Sequence, residues 1–263
     1  MQRVDRWTIA GLGLLLMPLL TMWHEIGGHA ATCILQGGHV SALGAFYVDC
    51  DGLFGLRKIV VACAGVFMNV VLAITGYLLW RRAIGDTARI TLWLIWVSEA
   101  FVASGYFLFS GVTGYGDLGI GEGGSLTDFG LTWPIQIIEI VAGVMSYVLL
   151  VRVAIRALNT MIGDGPETRH VRRSIAHVYY ASAGVAAVLV GLLNPLGIVI
   201  TIMSAAASSF GGLAGFISIG YAVGRSGSAR PILLPRNLLV IGAGVIAIAA
   251  FAFLLGPSLH FTR

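Results

Sequence analysis

Long apolar runs separated by short polar loops dominate the pattern of this chain. Seven runs approach or exceed the roughly 20 residues that an α-helix needs to cross the hydrocarbon core of a bilayer. They lie at about 7–35, 59–80, 90–110, 131–151, 175–193 and 238–255, with a sixth run that follows Pro195 and continues to about 223. Because backbone groups in lipid must find their hydrogen-bond partners within the segment, the pattern predicts an all-α fold, a polytopic bundle of about seven transmembrane helices.

The stretch from Gln36 to Leu56 breaks this pattern. Glycines and aspartates there separate short β-prone pieces such as the sequence Ala45-Phe46-Tyr47-Val48. Such punctuation is typical of turns between short strands rather than of a helix. We therefore expect a hairpin-like or re-entrant loop after the first span.

The composition agrees with a membrane protein and indicates its orientation. Of the 263 residues, 57% are hydrophobic and only 11% are charged, which excludes an ordinary soluble domain of this size. If the N-terminus is cytoplasmic, thirteen of the sixteen Lys and Arg residues fall inside, and only Arg57, Lys58 and Arg263 fall outside. We expect an integral protein of the bacterial inner membrane with its N-terminus in the cytoplasm.

Two further features of the composition limit the function classes. The basic residues lie in loops that flank the membrane, without interleaved aromatic residues, so no nucleic-acid partner is expected. The three cysteines, Cys33, Cys50 and Cys63, are odd in number and are not spaced as a metal knuckle, so the sequence assigns them no role. The oligomeric state does not follow from the sequence.

The chemistry of the chain is concentrated late in the first span, where His24, Glu25 and His29 interrupt an apolar run. In the zinc motif H-E-x-x-H, two histidines one helical turn apart bind the ion and the glutamate acts as general base. Here one extra residue separates the histidines, which would place them about 140° apart on an ideal α-helix. A π-turn at Gly27-Gly28 would absorb that residue and restore a shared metal site. The alternative is a helix that ends near Gly27, with the three side chains forming a satisfied polar cluster at the interface.

A catalytic zinc needs a third protein ligand, and Asp117 is the candidate because the glycines around it let the backbone approach closely. It follows the third span, and in the predicted orientation it lies on the same outer side as the two histidines. A solvated loop acid is the alternative role for Asp117. Weaker candidates of the same type are Glu122, Asp128 and the pair Asp49 and Asp51. The intramembrane acids Glu99 and Glu139 could instead form hydrogen bonds between helices or to the metal ligands.

These features together resemble the site-2-protease-type intramembrane zinc metalloproteases. The His-Glu cluster followed by a small residue is one point of resemblance, and Asp117 beside glycine near the third core helix is another. The segment Ala64-Gly65-Val66-Phe67-Met68-Asn69 is similar to that family's Ala-Gly-Pro-x-x-Asn, with Val66 in place of proline. The extra glycine and the site's place near the outer face also depart from the family. The resemblance covers about half of the chain, so we divide it into a metalloprotease-like membrane core at 1–130 and additional transmembrane helices at 131–263.

The resemblance implies a function and a role for each matched residue. His24, His29 and Asp117 would hold Zn²⁺, Glu25 would be the catalytic base, and Asn69 would position the substrate strand. The loop after the first span would present an unwound helix of a membrane-protein substrate. The expected activity is an intramembrane endopeptidase that uses a Glu-activated, zinc-bound water. The alternatives are a non-catalytic pseudoprotease or scaffold and a proton- or metal-coupled transporter.

Overall fold

The computed structural model describes residues 2–122, 124–225 and 227–262, so Arg263, one of the basic residues assigned above to the outer side, lies outside the described residues. It confirms a helical bundle with seven helical segments long and apolar enough to cross a membrane. These segments are Arg6–Leu35, Leu56–Arg82, Asp86–Thr113, Trp133–Ile162, Pro166–Gly191, Thr201–Tyr221 and Leu238–Leu255. The fourth segment extends past the predicted end near residue 151.

Two of the spans contain a π-helix. The first consists of α1 (Arg6–Met22), a first π-helix (Trp23–Ala30) and α2 (Ala31–Leu35). The sixth begins after α7 (Ile198–Ile200), and consists of a second π-helix (Thr201–Gly211) and α8 (Gly215–Tyr221). The other long helices are α3 (Leu56–Arg82), α4 (Asp86–Thr113), α5 (Trp133–Ile162), α6 (Arg169–Gly191) and α9 (Leu238–Leu255), and short 3₁₀ turns occur at Thr127–Phe129 and Pro166–Thr168.

Small sheets close the two ends of the bundle. At one end β1 (Gln2–Val4) pairs in parallel with β4 (Ile232–Leu234). At the other end β2 (His39–Leu43) pairs antiparallel with both β3 (Val48–Asp51) and β5 (Leu259–His260), in the order β3-β2-β5. The loop after the first span is therefore a β-hairpin, as the sequence predicted. β1, near the N-terminus, and β5, near the C-terminus, each pair with a strand that is distant in sequence but lies at the same end of the bundle.

A disulfide between Cys33 in α2 and Cys50 in β3 fastens the hairpin to the end of the first span. No role was predicted for either cysteine from the sequence. Pairing depends on the hairpin folding back over α2, which cysteine spacing alone does not reveal. The third cysteine, Cys63, is free.

One large hydrophobic core draws side chains from both halves of the chain. Trp93 and Phe101 of α4, Ile175 of α6 and Phe216 of α8 are all fully buried within it. Helix α1 packs against α6 and α9, while the first π-helix packs against α3. The division into a core at 1–130 and additional helices at 131–263 stays a prediction, since the later helices complete the packing around the first span.

Candidate metal centre

The first π-helix brings the two histidines of the His-Glu cluster together. His24 and His29 are five residues apart, and in the π-helix their Nε2 atoms lie 3.1 Å from one another. Both side chains are buried. A helix with i→i+5 hydrogen bonds accommodates the extra residue that an α-helix could not. The π-turn expected at Gly27-Gly28 is present, and it extends over eight residues.

The loop after α4 places Asp117 against both imidazoles. Its Oδ2 lies 3.1 Å from Nε2 of His24 and 3.3 Å from Nε2 of His29. The chain turns sharply here through Gly114 and Gly116, whose φ angles of 75° and 85° are in the left-handed region that favours glycine. Those turns bring the carboxylate back over the end of the bundle and into the cluster.

The three ligand atoms form a nearly equilateral triangle with edges of 3.1 to 3.3 Å. Ligand atoms about 2.0–2.1 Å from a tetrahedral zinc lie roughly 3.3 Å from one another, so the triangle has the size that this ion requires. Two imidazoles and one carboxylate are also a ligand set typical of catalytic zinc. The residues present therefore fit the metal that the family resemblance implies.

Both imidazoles are held through their Nδ1 atoms, and their Nε2 atoms form two corners of the triangle. Nδ1 of His29 lies 2.8 Å from the carbonyl oxygen of Val61, and Nδ1 of His24 lies 3.0 Å from the side-chain amide of Asn69. Hydrogen bonds of this kind fix the tautomer in which Nε2 is free to bind a metal. Burial by itself would raise the pKa of Asp117, but the imidazoles of His29 and His24 hold the pKa of that carboxyl well below its usual range.

Glu25 has the properties expected of a general base beside this triangle. Its side chain is buried, and its Oε2 atom has no hydrogen-bond partner among the residues that the structure describes. One of its carboxylate oxygens lies within 4.8 Å of the ligand nitrogens of both histidines. Because an unpaired buried carboxylate oxygen is costly, it marks a place where a water or a substrate group is expected.

Close contact between the first π-helix and α3 is what allows this arrangement. A Cβ atom added at Gly28 would lie 2.6 Å from Cα of Gly65, so the two backbones can touch here only because position 28 is glycine. Added at Gly65, a Cβ would lie 2.4 Å from Nε2 of both His24 and His29. The backbone of α3 at Gly65 thus packs directly against the two histidine ligands.

A cavity of about 560 Å³ opens onto the cluster. Glu25, His29 and Asp117 line one part of it, and β3 of the hairpin lines another through residues 48–51. The second π-helix contributes small side chains, including Ser204 and Ser208, to the wall. The cavity is large enough for a segment of extended peptide beside the cluster.

The predicted site residues are not all brought into this arrangement. His24, Glu25, His29 and Asp117 meet, whereas Asn69 lies behind His24 and does not line the larger cavity. Of the weaker candidates, Glu122 is exposed and Asp128 pairs with Lys58. Asp49 and Asp51 line the cavity from β3, and burial together with the neighbouring Asp51 raises the pKa of Asp49.

Tyr106 of α4 is a residue of the site that the sequence did not suggest. Its ring stacks on that of His24 with a centroid distance of 5.0 Å, and its hydroxyl lies 3.3 Å from Nε2 of His24. A tyrosine inside an apolar span carries no signal that separates it from a packing residue, so only the fold reveals its position.

No family model, no curated protein and no solved structure matches this chain.

Proposed function

We propose that this protein is a zinc-dependent intramembrane endopeptidase that cleaves a membrane-protein substrate. The observation that carries the proposal is the triangle of His24, His29 and Asp117 ligand atoms beside the unpaired carboxylate oxygen of Glu25. Ion ligands and a base in that relation, next to a peptide-sized cavity within a membrane bundle, favour hydrolysis of a peptide bond. The family resemblance of the sequence agrees with it.

When bound, zinc would polarise the scissile carbonyl and lower the pKa of a water molecule in the site. His24, His29 and Asp117 would hold the ion, with Nδ1 of each imidazole fixed by its own acceptor. Glu25 would accept the proton of the attacking water on its free Oε2 and later deliver it to the leaving amine nitrogen. The Tyr106 hydroxyl, directed at the same space, would donate a hydrogen bond to the carbonyl oxygen as negative charge develops there.

The free edge of β3 would hold the substrate in an extended form. Within the described residues β3 pairs with β2 alone, and its residues 48–51 line the cavity. An extended peptide can add to such an edge through main-chain hydrogen bonds. This matters because a helical peptide bond is shielded by its own hydrogen bonds and side chains, so a transmembrane substrate must unwind before attack.

We place the metal centre on the outer side of the membrane, with the N-terminus in the cytoplasm. The distribution of basic residues favours that orientation. The disulfide between Cys33 and Cys50 supports it independently, because disulfides persist in oxidising compartments and are rare in the cytosol. Both cysteines lie at the end of the bundle that carries the hairpin and the cluster.

Comparison of cells producing the wild-type protein with cells producing Glu25→Gln tests the proposal. The glutamine variant keeps the ligand triangle and loses only the base. Mass spectrometry of membrane fractions should find new peptide termini within single-span segments in wild-type cells and none in the variant. Identical termini in both, with the two proteins present in equal amounts, would contradict the proposed activity.

A further inference from the structure

A buried polar chain leads from His24 away from the larger cavity. Asn69 of α3 is 1% exposed and touches His24, and Glu99 of α4, which is 2% exposed, lies on the other side of Asn69. An ionisable side chain within a span is costly and marks a functional role more often than a packing role. Apart from this contact with Asn69, no side-chain hydrogen bond of Glu99 occurs within the described part of the chain.

The surroundings of Asn69 determine which way its amide faces. With the amide nitrogen towards α4, it donates to Oε2 of Glu99 at 3.3 Å and to the carbonyl oxygen of Gly65 at 3.2 Å. In this orientation the amide oxygen lies 3.3 Å from Nδ1 of His24 and the amide nitrogen lies 3.0 Å from the same atom, so both ends of the amide contact the imidazole. In the reverse orientation the amide oxygen would face two acceptors, so the hydrogen-bond network assigns the first.

This orientation has a direct consequence for His24. A neutral imidazole that binds a metal through Nε2 carries its proton on Nδ1, and that proton needs an acceptor. The Asn69 oxygen lies within reach of that proton, and the contacts of the amide nitrogen with Glu99 and Gly65 hold the amide against the imidazole ring.

We propose that Glu99 is a positioning residue which, through Asn69, holds the ring of His24 in the orientation that metal binding requires. The inference rests on the proposed metal site and assigns Asn69 to the support of a ligand instead of to the substrate strand. The position of Asn69 agrees, because it lines a separate small cavity of about 70 Å³ together with Glu99 and His24.

The test measures zinc affinity of the purified full-length protein by competition with a chromophoric chelator, and the visible spectrum of the Co²⁺-loaded protein. Glu99→Leu removes the acceptor at similar volume and should weaken zinc binding about 10- to 100-fold. Glu99→Gln should restore most of the affinity, because its amide oxygen can still accept from Asn69. Asn69→Leu should lose as much as Glu99→Leu, and the double variant should lose no more than either single one.

Glu139→Leu is the matched control. Glu139 is another buried acid within a span: it lies on α5 and is 6% exposed. In the described structure it makes no hydrogen bond to Glu99, Asn69 or His24. It should bind zinc with wild-type affinity and give the wild-type Co²⁺ spectrum. Thermal unfolding of the metal-free variants separates loss of fold from loss of positioning.

The outcomes distinguish the inference from the proposed function. Wild-type zinc binding that Glu99→Leu leaves unchanged, or that Glu139→Leu weakens equally, overturns the role of Glu99 and leaves the metal site standing. A wild-type protein that binds no zinc overturns the metal site and this inference together.

Discussion

Replacement of Gly65 by alanine tests whether the space in front of the two imidazoles is a metal site. The added methyl carbon would lie 2.4 Å from Nε2 of both His24 and His29. Non-bonded carbon atoms normally lie about 3.5–4.0 Å apart, and a carbon and a nitrogen need a similar distance. The methyl carbon would therefore be roughly 1 Å too close to each nitrogen. The methyl group would therefore crowd both ligand nitrogens.

The expected loss of zinc affinity follows from the movement that the two imidazoles must make. Relief of the contact requires each imidazole to shift by about 1 Å, which disrupts the hydrogen bond of His29 to Val61 and that of His24 to Asn69. Loss of one such supporting bond costs about 10- to 100-fold in metal affinity, so we expect a loss of about 100-fold or more. The overpacking itself should destabilise the fold by about 1–3 kcal/mol.

The assay is zinc affinity by chelator competition in detergent, together with thermal unfolding of the metal-free protein. Gly27→Ala is the control: it is also a glycine of this site, but its added Cβ would meet no atom nearer than Cε of Met68 at 3.6 Å. Gly27→Ala should keep wild-type affinity. A Gly65→Ala protein that binds one zinc with wild-type affinity would refute the placement of the ion between the two histidines.

Three further predictions address the Tyr106 hydroxyl, the disulfide of the hairpin and the N-terminal cap of α1. Tyr106→Phe should keep zinc and lower the rate of cleavage by about 100-fold, as for loss of one oxyanion donor, whereas a rate equal to wild type would exclude that role. Reduction of the Cys33–Cys50 disulfide, or Cys33→Ser, should lower cleavage by freeing β3 while zinc content measured by mass spectrometry stays at the wild-type value. Asp5 caps α1 by accepting from the backbone nitrogen of Thr8 at 2.9 Å, so Asp5→Ala should cost about 1 kcal/mol in thermal unfolding and Asp5→Asn much less. Partial burial acts to raise the pKa of Asp5, but the hydrogen bonds from Thr8 outweigh it and leave that pKa lowered. The stabilising contribution of Asp5 should therefore be present above the unfolded pKa of about 3.9 and disappear as the pH falls through the folded pKa.

Features set by neighbouring residues could be predicted from the sequence. Seven apolar runs became seven helical spans, and the glycine- and aspartate-rich stretch after the first became a hairpin. The π-turn also followed from local spacing, because His24 and His29 can face one ion only if the helix absorbs one residue. Each of these inferences depends on residues close together in the chain.

Features that depend on distant parts of the chain could not be read from the pattern. Asp117 was the candidate third ligand because of the glycines around it, but its contact with the two histidines depends on the turn through Gly114 and Gly116 and on the packing of α4. The contacts of Tyr106 and Glu99 arise from the packing of α4 against the first span and α3, and apolar periodicity does not encode which polar groups meet there. The disulfide required the hairpin to fold back over α2.

The most direct test of the metal centre is the zinc content of the purified protein, measured by inductively coupled plasma mass spectrometry for wild type, His29→Ala, Asp117→Ala and Glu25→Gln. The geometry predicts one zinc per wild-type chain, lost in the first two variants and retained in Glu25→Gln, since only the first two remove corners of the triangle. Wild-type protein without zinc after purification in zinc-containing buffer, or zinc retained in both ligand variants, would contradict the site.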